Sequence, residues 1–384
     1  MLDADDSQRS HVPIHVGHVL LSLRAGGLEN GVVNVINGLD RREFLSTVCC
    51  LQSAGEFAGR IADARCRILE FGLRPGNDPR LVWRLARAFR SLRLDIVHTR
   101  NAEAFFYGAL AARLAGVPAV VHSEHGRTFP EKWHRALLQR WLLRGTACAF
   151  AVSRELAEAM VTQIGVPPAS FRVIYNGVDT AKFAAAARGA RAHRDQILIG
   201  SVGRLAAVKN HRLLLQAVAR LPPDLPWRLV LIGDGPERDN LQETARQLGI
   251  GARVSLLGHR DDIAALLGEL DIFVLPSVSE GMSNTLLEAM AAGVAVVASD
   301  VGGNREIIEA GRCGLLFAPG DPLAAAQAIE QLSSDAQLRG RLASAGAQRA
   351  GSTFSLRTML GAYEDLYRSV RRTTGDHLTR PLGA

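Results

Sequence analysis

Short apolar runs rich in Val, Ile and Leu alternate with longer amphipathic stretches along the whole chain. Residues 15–23 read as a strand, followed by the tight glycine turn Arg24-Ala25-Gly26-Gly27-Leu28-Glu29 and a helix over 30–39. Further strands are predicted at 45–50, 67–70, 95–98, 119–122, 147–152 and 171–175, with helices at 79–92 and 105–115. The pattern restarts at 196, with strands at 196–202, 227–232, 254–257, 272–276, 295–299 and 314–317 and helices at 210–221, 237–248 and 263–267. This alternation argues for parallel sheets covered by helices, an α/β class. Two such sheets in tandem place a cleft between them, and ligands of open α/β sheets bind beyond the carboxyl ends of the strands. Residues 176–194, rich in Ala, Arg and Gly, read as the linker, and the polar tail 371–384 reads as disordered.

Composition narrows the class. At 384 residues the chain exceeds one ordinary domain, and 47% hydrophobic with 22% charged residues excludes global disorder. No apolar run approaches the ~20 residues of a membrane span. The first 17 residues are polar and partly acidic, unlike a secretory signal. Cys49, Cys50, Cys66, Cys148 and Cys313 show no metal-ligand spacing, which fits a reduced, cytoplasmic compartment. A net charge of +7 allows nucleic acid, an anionic membrane surface or phosphorylated substrates as partners. Of 45 basic residues only Lys132, Lys182 and Lys209 are lysine, so Lys209 inside a glycine-led loop stands out.

The chemistry concentrates at Glu280-Gly281-Met282-Ser283-Asn284-Thr285-Leu286-Leu287-Glu288. A turn that opens a helix offers backbone N–H groups to phosphate, and flanking carboxylates accept hydrogen bonds from sugar hydroxyls. The competing reading is structural: Thr285-x-x-Glu288 fits a capping box. Upstream, Gly203-Arg204 and Lys209 follow a strand. Arg204 can grip phosphate bidentately and Lys209 can act as a movable point charge, or both are simply solvated cations. Leu257-Gly258-His259-Arg260 is another strand exit, whose backbone can meet a nucleobase; a lone histidine there is more often structural. Gly26-Gly27 brings backbone N–H groups near an anion, or merely makes a tight turn. His122-Ser123-Glu124-His125-Gly126-Arg127 clusters polar groups past a strand end, with His125 the candidate functional histidine. No serine-nucleophile elbow, Walker loop or strand-end Asp-x-Asp occurs.

Together these segments resemble glycosyltransferase family 4, retaining enzymes of GT-B architecture. The likeness covers roughly residues 14–372 and includes Asn176-Gly177-Val178-Asp179 and Gly302-Gly303-x-x-Glu306. Val97-His98-Thr99-Arg100-Asn101, His122-Ser123-Glu124-His125-Gly126-Arg127 and Tyr175-Asn176-Gly177-Val178-Asp179 add a narrower resemblance to transferases of bacterial exopolysaccharide and exosortase-type systems. The resemblance implies two Rossmann-like domains facing each other across a cleft, an acceptor-side domain at 14–180 and a nucleotide-sugar-binding domain at 196–354. A linker at 181–195, a helix at 355–372 crossing back to the first domain, and disordered ends at 1–13 and 373–384 complete it. Arg204 and Lys209 would neutralise the donor diphosphate, Glu288 would hold the ribose, and Glu280 would contact the sugar. The N–H groups of Gly281 to Asn284 would help hold sugar and phosphate, Gly26 and Gly27 would meet the phosphate, and His125 would lie against the transferred sugar. No cofactor or metal is expected.

The expected activity is transfer of a hexose from a nucleotide-diphosphate sugar to a glycan or lipid-linked acceptor in cell-surface polysaccharide assembly. Two rivals are a nucleotide-sugar epimerase or hydrolase of the same fold and a basic nucleic-acid-binding protein. No nucleic-acid module is recognisable, so nucleic acid is not an expected partner. Trp133, Leu137, Leu138, Trp141 and Leu142 fall at helical spacing among Lys132, Arg135, Arg140 and Arg144. Such a helix can lie in an anionic membrane surface, with Arg80, Arg84 and Arg87 as further contacts, or pack its apolar stripe on the sheet.

Overall fold

A computed structural model describes residues 12–74, 76–126, 130–187 and 195–378. They form two compact units. The first contains residues up to Val152, Ala157–Ile174 and those from Leu360 onward; the second contains Ser153–Leu156 and Tyr175–Met359.

The first unit runs β1 (Ile14–Leu20), α1 (Gly27–Gly38), β2 (Phe44–Cys50), β3 (Arg67–Glu70), α2 (Pro79–Leu92), β4 (Ile96–Arg100), α3 (Asn101–Ala115), β5 (Ala119–Glu124), α4 (Trp133–Leu143), β6 (Cys148–Ala151), α5 (Arg154–Ile164) and β7 (Arg172–Val173). All strand pairs are parallel, in the order β3-β2-β1-β4-β5-β6-β7, so the direction of winding reverses between β1 and β4. One sheet face packs Val19, Val97 and Val120 against Leu85 and Phe89 of α2 and Phe105 of α3. The opposite face packs Leu20 and Val48 against Val32, Val33 and Ile36 of α1.

The second unit runs α6 (Thr180–Ala187), β8 (Ile197–Val202), α7 (His211–Val218), β9 (Trp227–Ile232), α8 (Arg238–Gln247), β10 (Val254–Gly258), α9 (Ile263–Glu269), β11 (Ile272–Leu275), α10 (Asn284–Ala291), β12 (Ala295–Ser299), α11 (Asn304–Ile307), β13 (Leu315–Phe317), α12 (Pro322–Ser334) and α13 (Ala336–Ser352). Its parallel order is β10-β9-β8-β11-β12-β13, with the reversal between β8 and β11. The final helix, α14 (Leu356–Leu378), lays Tyr363 and Tyr367 beside Phe44, His98 and Phe150 of the first sheet.

Three boundaries differ from expectation. The linker placed at 181–195 contains α6, which packs on α9 and α10; the rest of that segment, 188–194, lies outside the described residues. Residues 175–180 group with the second unit because Val178 is tied to it on both sides. Its N–H donates to the Phe354 carbonyl at 2.8 Å and its own carbonyl accepts from Leu356 N–H at 2.8 Å. The tail expected to be disordered from 373 continues α14 through Leu378, since the helix carries no Pro or terminal cap before that point; residues 1–11 and 379–384 lie outside the described residues.

Tyr363 is 3% exposed between α14 and the first sheet. Tyr363→Ala should cost about 3–5 kcal/mol through lost burial and a residual cavity. Calorimetric melting checks this, and a loss under about 1 kcal/mol would show that α14 adds little to the first unit's stability.

Candidate active site

In the second unit, the loops that follow β8 and β11 flank the strand-order reversal, the place where open α/β sheets bind ligands. After β8 the chain passes Gly203 and the exposed Arg204, makes a 3₁₀ turn at Ala207–Lys209, and enters α7. After β11 it passes Ser277 and Glu280 before α10. The two loops are stitched by Val278 N–H donating to the Val208 carbonyl at 2.9 Å.

That stitch brings the candidate cation and carboxylate together. Lys209 Nζ donates to Glu280 Oε1 at 2.6 Å, and Ser277 Oγ donates to the same oxygen at 2.6 Å. Both charged side chains are largely but not wholly removed from water, at 24% and 9% exposure. Ser277 is itself fixed, because Ser299 Oγ at the end of β12 donates to its carbonyl at 2.6 Å. Sequence spacing anticipates neither this pairing nor Ser277.

Glycine permits the loop's shape. A Cβ on Gly302, whose φ is +51°, would lie 1.8 Å from the Glu280 carbonyl oxygen, and Gly303 N–H donates to the Gly281 carbonyl at 3.1 Å. The Gly302-Gly303 pair is thus the floor under the Glu280 loop. Glu306, three residues on, accepts from Tyr175 Oη at 3.0 Å and from Glu155 N–H at 3.1 Å. It anchors that floor and lies in no contact with Glu280 or Lys209 among the described hydrogen bonds.

The capping-box reading of Thr285 and Glu288 fails. Helix α10 starts at Asn284, so the cap is Ser283, whose Oγ accepts from Leu286 N–H at 3.3 Å. Thr285 is then inside the first turn, bonded to Ser283 Oγ at 3.2 Å, and Glu288 lies too deep to reach back. Burial pushes the Glu288 carboxyl up to about 7, against the weaker pull of Lys182 on α6. Met282 is buried, with Asn176 N–H donating to its sulfur at 3.2 Å and Asn176 Nδ2 to its carbonyl at 3.4 Å. This supports the chain leading into α10 and explains what Asn176 does.

At β10, Gly258 adopts φ +70° and its carbonyl accepts from Gly233 N–H at 2.9 Å. His259 is exposed, 3.8 Å from Asp261. The structure gives His259 no buried role of the kind a packing histidine would have.

In the first unit, Gly26 caps α1 without a side-chain bond, but the anion position there is contested. The Glu29 carboxylate folds back against Gly26, so close that a Cβ on Gly26 would lie 2.3 Å from its Oε2. Burial raises the Glu29 pKa. Gly27 opens the helix beside it. His125 follows β5: its N–H donates to Asn101 Oδ1 at 2.9 Å, and its Nε2 lies 2.9 Å from Ser123 Oγ. Burial, helped by the Arg100 and His122 charges, lowers its pKa to about 3, so the ring is neutral. Arg127 lies outside the described residues.

Among the described residues no group of three or more His, Cys, Asp or Glu is arranged to hold a metal ion.

Each unit is a parallel α/β sheet with glycine loops beyond its strand ends, and the second also carries the Lys209–Glu280 pair and the N-terminus of α10 there. Residues 25–182 match the family described as Glycosyltransferase Family 4, and residues 185–349 match Glycosyl transferases group 1. An Escherichia coli UDP-Gal:alpha-D-GlcNAc-diphosphoundecaprenol alpha-1,3-galactosyltransferase is 29% identical over 78% of this chain and 83% of its own length. A Mycobacterium tuberculosis glycogen synthase is 31% identical over 74% of this chain and 70% of its own. In fold, the chain is similar to Anabaena Alr3699/HepE, solved in complex with UDP and glucose, with a TM-score of 0.81 and 24% identity over 92% of this chain and 99% of that one. A Rickettsia africae glycosyltransferase gives a TM-score of 0.82 at 20% identity, over 94% and 99%. The chain belongs to glycosyltransferase family 4, of GT-B fold, and is a glycosyltransferase.

The Glu288 shift has a defined pH signature. Between its ordinary value of 4.5 and about 7 the unfolded chain is ionised while the folded chain keeps the proton, so stability falls as pH rises through that window and levels off above it. Glu288→Gln should therefore melt like the parent below pH 4.5 and progressively higher up to about pH 7, with a constant gap beyond. Paired thermal melts across that range check it; a gap that does not change with pH would refute it.

Proposed function

We propose that the chain is a retaining glycosyltransferase that moves a hexose from a nucleotide-diphosphate sugar to a glycan or lipid-linked acceptor in cell-surface polysaccharide assembly. The single observation that carries this is the Lys209–Glu280 pair, 2.6 Å long, held by two loops at the strand-order reversal. The UDP and glucose in the Anabaena structure support a nucleotide-sugar donor, and the lipid diphosphate in the E. coli relative's name supports a lipid-linked acceptor.

Donor binding exchanges partners at this pair. The diphosphate draws Lys209 away from Glu280 and takes Arg204, while Glu280, still held by Ser277, turns to the sugar hydroxyls. Glu288 holds the ribose, Gly258 and His259 meet the nucleobase through backbone, and the N–H groups from Gly281 to Asn284 face the sugar and distal phosphate. Gly203 leaves room for that phosphate. Breaking the sugar–phosphate bond builds negative charge on the leaving diphosphate, and preorganised cations and N–H dipoles lower that barrier. Arg204 and Lys209 supply the charge a metal would otherwise provide. Retention follows from same-face attack by the acceptor hydroxyl, with a phosphate oxygen as base.

Acceptor-dependent release of nucleotide tests the activity: rapid release without acceptor, or an isomerised donor, would replace transfer with hydrolysis or epimerisation. For the site, calorimetry with UDP, GDP and ADP selects the nucleotide, and Lys209→Ala then weakens its binding by one to two decades. That loss corresponds to about 1.5–3 kcal/mol for one charge-assisted hydrogen bond. The parent should bind equally in EDTA. Unchanged affinity in the variant would remove Lys209 from the diphosphate, and loss in EDTA would remove metal independence.

The peripheral-membrane reading gains support from α4. Its apolar stripe does not pack on the sheet: Trp133, Leu137 and Trp141 are 74%, 57% and 47% exposed, while Leu142 and Gln139 are the buried positions. Arg140 and Arg144, with Arg172, line an adjoining pocket of about 450 Å³ that no carboxylate lines. Arg135 does not belong with them. It pairs with Glu103 at 2.8 Å and Glu131 at 3.0 Å and covers the Phe106 ring, because it faces α3 rather than solvent. Neutralising Arg140 and Arg144 to Gln should release the protein from anionic liposomes in co-sedimentation, and Arg135→Gln should not. Binding that ignores Arg140 and Arg144, or no binding at all, would end this reading.

A further inference from the structure

The arginine-lined pocket beside α4 sits at the far end of the first sheet from that unit's candidate loops. The Gly26-Gly27 turn and His125 follow the carboxyl ends of β1 and β5. The pocket, about 450 Å³ in volume, is lined instead by Ala147 and Cys148, where β6 begins, and by Arg172, where β7 begins. These strands pair in parallel, so the pocket lies at their amino ends. Reacting ligands of open α/β sheets bind beyond the carboxyl ends, and a ligand here is therefore a different one.

Arg140, Arg144 and Arg172 converge on this pocket, with Thr146 and Ser170 beside them, and no carboxylate lines it. None of the three guanidiniums has a hydrogen bond or ion pair among the described residues. The ordinary task of an arginine at such a place is to complement a helix C-terminus. Other groups already do that for α4. The Leu142 carbonyl accepts from Arg113 Nη2 at 3.3 Å, from Thr146 Oγ1 at 3.0 Å and from Gly145 N–H at 3.1 Å. Three clustered cations repel one another, and the arginine fork matches the oxygens of a phosphate.

The neighbouring surface says what carries that phosphate. At 3.6 residues per turn, Trp133, Leu137, Arg140, Trp141 and Arg144 fall on one side of α4, whose helical backbone continues through Arg144. The two tryptophans and Leu137 are exposed there. Arg113 lies 4.3 Å from the Trp141 ring centroid and steadies it. A soluble phosphate engages the arginines and leaves this apolar side in water, whereas a lipid engages both. We infer that the pocket is a headgroup site for a membrane lipid bearing a phosphate monoester. Arg140, Arg144 and Arg172 hold the phosphate, and the acyl chains lie beside Trp133, Leu137 and Trp141. Three cations favour a monoester, which is close to doubly charged at neutral pH, over a singly charged phosphodiester. The inference rests on the peripheral-membrane reading of α4 and narrows it from attraction to any anionic surface to recognition of one headgroup.

Arg172 separates the two, because it belongs to a strand start and not to the membrane-facing helix. Flotation tests it with phosphatidylcholine vesicles carrying either dioleoyl phosphatidate or enough phosphatidylglycerol to give the same zeta potential. The parent should bind the phosphatidate vesicles about tenfold or more tightly, the scale of one charge-assisted hydrogen bond. Arg172→Gln should abolish that preference while melting like the parent. Arg87→Gln, which removes one exposed charge from α2, should keep the preference, whatever it does to binding overall. Binding without preference between the two lipids, or a preference that survives Arg172→Gln, would overturn the headgroup site and leave the membrane reading standing. No binding to either vesicle would end both. Calorimetry with glycerol 3-phosphate should show affinity far below that for the phosphatidate vesicles; equal affinity would make this a site for a soluble phosphate and overturn the lipid assignment.

Discussion

The second unit depends on one electrostatic contact between loops that the chain separates by 71 residues. Lys209 and Glu280 sit where the winding of a parallel sheet reverses, and each is delivered by its own strand end. A charge pair with only partial access to water is strong enough to hold two loops yet weak enough to exchange partners, since desolvation offsets much of the attraction. The surrounding pieces serve that balance. Ser277 steadies the carboxylate, Gly302 lets the backbone approach from below, and Val278 ties the loops together. Under the proposed function, a donor diphosphate would compete for the lysine without unfolding either loop.

The first unit solves a different problem. It keeps a polar layer inside its sheet and covers it with the chain's last long helix. Such a layer is costly, and His98 offsets part of that cost by bonding Tyr367 at 2.8 Å and Ser123 at 3.0 Å. The cover is itself latched at the edge, where Arg368 reaches Glu43 through two bonds of 2.6 and 2.7 Å. The same helix therefore supplies both apolar cover and a polar partner to the first sheet.

Much of this was legible in the residues. Periodicity marked every strand to within a few positions and many of the helices, though α5, α11, α12 and α13 went unread, and glycines at the strand exits marked the loops that carry the candidate site. Errors fell where local pattern is mute. Residues 180–187, small and alanine-rich, resemble a linker until α9 and α10 give the helix something to pack against. Thr285 and Ser283 are equally good caps on paper, and only the observed start of α10 chooses Ser283. The amphipathic pattern of α4 predicted a buried stripe as readily as an exposed one, and α4 in fact buries only Gln139 and Leu142.

The sequence alone determined what is written within a few residues: element type, parallel winding, the glycine turns and the carboxylate-flanked helix start. Tertiary structure decided which distant groups meet. Lys209 with Glu280, and His98 with Tyr367 across 269 positions, are neighbours because crossovers insert strands out of chain order and because a terminal helix folds back on the first sheet. Periodicity is a property of one segment against its own core, whereas these contacts are properties of strand order, and no local pattern carries that.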